Sequence, residues 1–227
     1  MYHNKEKIIL MEKIKRCMDK LEGSQFYHDF KDQLQTPQIY ERLRIVLGSA
    51  STMKMVIYGI GNFESYENPN YQLGLTILMQ RDFKWIGDIE VFDPALSMNE
   101  CQVLEALGCS VLQYNEYGRR KALKPTLFFM PHCPIMLYDN LLQENWKSSS
   151  LRNIVILGNS FDNYVSSGSC SPHMKKYIML AATFTNEFEV KTNSNDYYED
   201  SKDDRLIRRR RSGAFHHSSW HFFTPLM

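Results

Sequence analysis

Apolar residues near the start of the chain recur at helical intervals. Ile8, Leu10, Ile14, Cys17, Met18 and Leu21 are separated by three or four positions among lysines and glutamates, which predicts an amphipathic helix over residues 5–22 stopped by Gly23. Ser24 is placed to cap a second helical region. There Phe26, Phe30, Leu34, Tyr40, Leu43 and Val46 recur, with Pro37 as an interruption. Residues 1–50 therefore read as a helical lead-in.

From Lys54 the grammar changes to short continuous apolar runs ended by Gly, Pro or a polar residue. They are Met55–Tyr58, Ile89–Phe92, Val111–Tyr114, Leu127–Met130 and Ile154–Leu157. Helix-period segments separate several of them. One contains Tyr71–Met79, with Asn68 as the expected cap and Pro69 at the first helical position. A second runs from Asn99 to Leu107 before Gly108, and a third from Ile135 to Trp146 after Pro134. Apolar strands alternating with helices predict an α/β fold: a Rossmann-like, mainly parallel sheet flanked by helices, spanning residues 51–190. Lys176–Val190 reads at least in part as a late strand, with a helix left open over 174–182. Residues 191–213 are first acidic and then basic, ending in Arg208–Arg211, and are expected to form a flexible charged loop. The Arg run reads either as a nuclear-localisation patch or as a solvated loop. Residues 214–227, with Ser219-Trp220-His221-Phe222-Phe223, are expected to return to the sheet as an antiparallel edge strand.

Composition narrows the function classes. The 227 residues carry 27 Lys+Arg against 26 Asp+Glu, a formal charge of +1, and are 43 % hydrophobic. Near-neutrality argues against a dedicated nucleic-acid binder, because neutralising phosphates needs a basic excess. The five cysteines are odd in number and never spaced Cys-x-x-Cys, so a reducing compartment is expected, cytoplasmic and nuclear. No apolar stretch approaches the roughly 20 residues of a membrane span, and no membrane association is expected.

Ligands of open parallel sheets bind beyond the carboxyl ends of the strands, which makes the residues after each run the candidates for chemistry. Gly59 and Gly61 form a side-chain-free turn that could admit a nucleotide or could simply need positive φ. Glu64 stands where the full Gly-x-Gly-x-x-Gly fingerprint has its third glycine. Asp93 suits ribose hydroxyls, or equally a turn cap before Pro94. Pro131, His132 and Cys133 offer thiolate or imidazole to a haem iron, a thiolate nucleophile, or no more than a rigid Pro-x-x-Pro loop. Gly158, Asn159 and Ser160 could receive an anion but lack the pattern of a Gly-x-Ser-x-Gly nucleophile elbow. No second His or Cys lies near enough in sequence to suggest zinc, and His216 and His217 are merely adjacent to each other.

Several strings taken together resemble the Sensitivity-to-Red-light-Reduced family, the SRR-like proteins. They are Val56–Phe63, Tyr71–Leu73, Val91–Pro94, Glu105–Cys109, Thr126–Pro134 and Gly158–Phe161. Met130-Pro131-His132-Cys133-Pro134 and Gly158-Asn159-Ser160-Phe161 are the most specific of them. The resemblance implies a regulator in a circadian-clock input pathway with protein partners, linked in animals to haem biosynthesis, and it brings no settled catalytic set. The alternative is an S-adenosylmethionine-dependent, methyltransferase-like enzyme, suggested by five parallel strands and a late pair. Against it, Tyr58 replaces the acidic residue that commonly precedes the glycines, and the Met-Pro-His-Cys-Pro loop is not the usual Asp/Asn-Pro-Pro-aromatic one. Haem and S-adenosylmethionine are thus the two cofactor candidates.

Overall fold

The structure, a computed structural model, describes residues 2–166, 175–192 and 213–223. The Arg208–Arg211 run, Cys170 and most of the charged segment expected as a loop lie outside the described residues.

Three helices come first: α1 (Tyr2–Glu22), α2 (Gln25–Gln35) and α3 (Pro37–Leu47). Ser24 caps α2, its hydroxyl accepting from Tyr27 N at 3.2 Å. Alternation follows with β1 (Met53–Tyr58), α4 (Asn68–Asp82), β2 (Ile86–Phe92), α5 (Met98–Ala106), β3 (Ser110–Val111) and β4 (Thr126–Met130). It continues with α6 (Ile135–Glu144), α7 (Ser148–Leu151), β5 (Ile154–Asn159), α8 (Phe161–Ser166), α9 (Lys176–Ala182), β6 (Thr185–Glu189) and β7 (Ser218–Phe223). Asn68 is already the first residue of α4, whose cap position is Glu67, and Pro69 sits in the first turn as expected.

All seven strands form one sheet in the order β3-β2-β1-β4-β5-β7-β6. The first five are parallel, and β7 runs antiparallel to both β5 and β6. The α/β class, the parallel body and the late reversal are as the sequence predicts. One position differs: β7 is not the edge strand. It is inserted between β5 and β6, and β6 takes the edge. All six β7 residues are buried, Trp220 and Phe222 toward one layer and His221 toward the other, whereas β6 is only half-buried. Packed on both faces and paired along both edges, β7 is buried at every residue, its serines and histidine included.

The helices divide between two apolar layers. Against one face lie α1–α5, where Ile14, Leu21, Phe30 and Leu43 meet Met55, Ile57, Leu73 and Trp220. The lead-in helices are thus continuous with the main core. Against the other lie α6, α8 and α9, where Tyr138, Leu141, Phe161 and Ile178 meet Phe128, Met130 and Ile156. The connection from β3 to β4, residues 112–125, is a loop. The expected third strand ends at Val111, because the chain turns away toward Tyr114 after two paired residues.

Candidate functional site

The strand order reverses between β1 and β4: β2 and β3 extend to one side, β4 and β5 to the other. This switch point is where a parallel sheet opens a crevice, and the residues singled out in the sequence gather along its rim. Gly59 leaves β1 at φ +68° and Gly61 follows at φ +76°. Gly61 N–H donates to Asp93 Oδ2 at 2.9 Å, tying the end of β1 to that of β2, while Asp93 Oδ1 accepts from Ala95 N at 2.7 Å. Asp93 is therefore both clasp and turn cap, and its two oxygens keep only their remaining lone pairs for a ligand.

Cys133 is buried at the switch point, against the turn that ends β1. A Cβ built on Gly59 would stand 2.5 Å from Cys133 Sγ, so the missing side chain at position 59 makes room for this sulfur. The thiol donates to Tyr58 O at 3.2 Å. Burial pushes its pKa well above the usual thiol range, with the charge of Asp93 adding to the effect. A buried, protonated thiol bonded to a carbonyl is neither a nucleophile nor an open iron ligand.

His132 contrasts with its neighbour. Its side chain is exposed at the mouth, and its backbone is held in the left-handed region at φ +52°, unusual for a residue with a Cβ. Asn159 secures this conformation, Oδ1 accepting from His132 N at 2.8 Å. Asn159 Nδ2 donates to Tyr164 Oη at 2.6 Å, and Tyr164 Oη donates to Cys133 O at 2.7 Å. Crowding by protein around the ring lowers the pKa of His132. The Ala214 and Gly213 backbones pull the other way, and His216 and His217 add to the depression. The imidazole is thus biased toward its neutral form, with a ring nitrogen able to accept a proton or bind a ligand.

Pro131 is buried beneath this loop. Gly158 pairs with Met130 across β4 and β5, and its missing side chain leaves space for the hydroxyl of Tyr138, which donates to Met130 O and accepts from Asn159 N. Ser160 N–H donates to His217 O at 2.9 Å. A short segment before β7 therefore lies along the rim, held also by Gln72 Nε2 donating to Ala214 O at 2.7 Å.

The sequence reading missed four contributors. Tyr138, Tyr164 and Gln72 act over distances in sequence that no local pattern reports. Glu100 carried a signal, Ser97-x-x-Glu100, and it forms a capping box on α5. From full burial it also accepts from Phe63 N at 2.5 Å and Glu64 N at 3.0 Å, fixing the loop beyond Gly61. Among the described residues no group of three or more His, Cys, Asp or Glu side chains is placed to hold a metal ion, and no helix is long and apolar enough to cross a membrane.

Fold and rim define an α/β domain with a seven-stranded, mainly parallel sheet whose switch point buries a thiol against Gly59 and exposes the neighbouring imidazole. Residues 26–222 match the SRR1 domain, and the chain belongs to that family. It is 48 % identical over 219 residues to Protein SENSITIVITY TO RED LIGHT REDUCED 1 of Arabidopsis thaliana, an alignment covering 95 % of this chain and 74 % of the relative. An SRR1-like protein of Mus musculus is 42 % identical over 120 residues, 50 % of this chain and 46 % of the relative. One of Drosophila melanogaster is 30 % identical over 109 residues, 48 % of this chain and 39 % of the relative. No solved structure gives a significant match.

Proposed function

We propose that the chain is a regulator in a light-response and clock-input pathway, acting in cytoplasm and nucleus through protein partners, and that its switch-point crevice is the part that receives a small-molecule signal. The observation that carries this reading is the near full-length similarity to a plant protein named for reduced sensitivity to red light. The neutral-biased, exposed His132 on a strained backbone supports the crevice as the receiving site, since strain held in place by surrounding structure concentrates at functional positions. Arabidopsis plants lacking the relative provide the test. Expression of this chain is expected to restore red-light sensitivity, and a folded His132→Ala variant is expected to restore it poorly. No rescue by the unaltered chain would end the regulatory reading, and full rescue by His132→Ala would remove the crevice mouth from it.

Two candidate ligands can be tested at this site. Haem would depend on His132, since the Cys133 thiol is buried and spent on Tyr58 O. A Soret band that survives His132→Ala would exclude that arrangement. S-adenosylmethionine is favoured by the seven-stranded order with its late reversal, and fold analogy alone does not carry an activity. Calorimetry decides: heat that disappears on Asp93→Ala supports binding, and no heat at millimolar ligand removes it.

A further inference from the structure

At the opposite, amino-terminal side of the sheet a second cavity of about 540 Å³ opens between the starts of β1, β2 and β4 and the 112–125 loop. That volume lies in the range of small-molecule sites. The loop that walls it is held rigidly. Ala122 N–H donates to Asn145 Oδ1 at 2.7 Å, Asn145 Nδ2 donates to Arg120 O at 2.7 Å, and Asn153 Nδ2 donates to Ala122 O at 3.1 Å. Tyr117 sits at φ +51°, its carbonyl accepting from Asn140 Nδ2 at 2.9 Å. The adjoining Gly118 approaches α6 so closely that a Cβ there would meet Leu137 O at 2.5 Å.

The cations of this wall fall into two groups. Lys54 and Arg120 are committed, both to Glu90, and Arg120 also to Glu116 at 2.8 Å, so they form a fixed polar floor. Lys121 and Lys124 line the cavity, are exposed, and have no acceptor among the described residues. Further exposed cations stand at the entrances of the neighbouring strands. Carbonyls of Trp85, Pro125 and Asn153 accept from Met53, Lys54 and Thr126, and the residue just before each acceptor is Lys84, Lys124 or Arg152. Along the order β2-β1-β4-β5 neighbouring strands lie about 4.8 Å apart, so a cation precedes β2, β4 and β5, with β1 between the first two. Among the described residues Asp88 is the one carboxylate lining the cavity. The apolar part of the wall is Leu123, 77 % exposed, together with Pro125 and Val56.

We propose that this cavity binds a small organic anion, a phosphate- or carboxylate-bearing molecule with an aromatic or aliphatic body. Lys121 and Lys124 take the anion, and Leu123 and Pro125 cover the body. The site is separate from the switch-point crevice and independent of the function assigned to it. Two unpaired ammonium groups on a preorganised loop beside an uncovered apolar side chain supply charge attraction and desolvation together, the combination such ligands use.

Amide-resolved NMR titration of the full chain with phenyl phosphate, and separately with benzoate, tests this. Saturable shifts clustered at residues 52–56, 88 and 120–126 are expected with at least one probe, and which probe binds tells phosphate from carboxylate chemistry. Lys121→Ala with Lys124→Ala is expected to weaken binding at least tenfold, Leu123→Ala severalfold, and Asp88→Asn to tighten it. The amide spectrum remote from the cavity reports that each variant is folded. No localised shift from either probe at 10 mM, or binding unchanged in the double lysine variant, overturns the proposal.

Discussion

Gly59 and Cys133 are 74 positions apart in sequence and behave as one unit. The glycine is required twice over, by its positive φ and by the sulfur lying where a Cβ would be. Gly59→Ala is therefore expected to cost about 2 kcal/mol or more in denaturant unfolding. Adding Cys133→Ala should recover the steric part and leave the backbone strain, so the double variant loses less than the sum of the singles by about 1 kcal/mol. Strict additivity would show that sulfur and turn do not meet. The same contact sets thiol reactivity. Burial raises Cys17 to about 11 and Cys109 to about 12, and Cys133 further still, while Cys101 is only partly buried. Among these four, alkylation of the native chain at pH 8 is expected first at Cys101, with Cys133 reacting only on unfolding. The need for glycine at 59 was legible in the Gly-x-Gly string; its cause was not, because a sulfur arriving from the far side of a switch point leaves no mark on the neighbouring letters.

At the scale of elements, the β5-β7-β6 corner buries several polar groups together, Ser218, Ser219 and His221 among them. His221 in β7 is fully buried, its ring tilted by 31° against Phe161 at a ring-centroid distance of 4.1 Å, with Nδ1 facing Ile156 O at 3.3 Å and Nε2 at 3.5 Å from Glu187 Oε2. Burial opposes the charge on Glu187, yet His221 and the hydroxyls of Ser160 and Ser219 outweigh it and hold the carboxyl at about 2. A carboxyl lower in the folded than in the unfolded chain stabilises at any pH above its ordinary value near 4.5. That contribution is lost as pH falls from there toward 2. Glu187→Gln is expected to lower stability at pH 7 by about 2 kcal/mol and to flatten the acid limb of the stability profile between pH 4.5 and 2. An unchanged limb would mean the pair contributes nothing. Periodicity showed the parallel strands and most helices well, since each is written in its own residues. It could not place β7, because whether a buried strand ends at an edge or between two others is decided by partners far along the chain.

Across the whole molecule, the lead-in helices are continuous with the core: Ile14 and Leu21 of α1 and Phe30 of α2 are buried in the layer that also holds Met55 and Trp220. Removing residues 2–22 is accordingly expected to yield a chain that aggregates or melts at least 10 °C lower by calorimetry, whereas an independent appendage would leave the transition in place. The crevice was legible as a gathering of small and polar residues at strand ends, and the second cavity was not, since it arises from a helix missing between β3 and β4. The insertion of β7 also sets a timetable for synthesis. On a translating ribosome the flank of β5 stays unsatisfied while more than fifty further residues are added, and β6 emerges with no neighbour to join. Closure of the sheet waits for Ser218–Phe223, and until then the nascent chain presents an open, greasy margin that holding chaperones would be expected to cover.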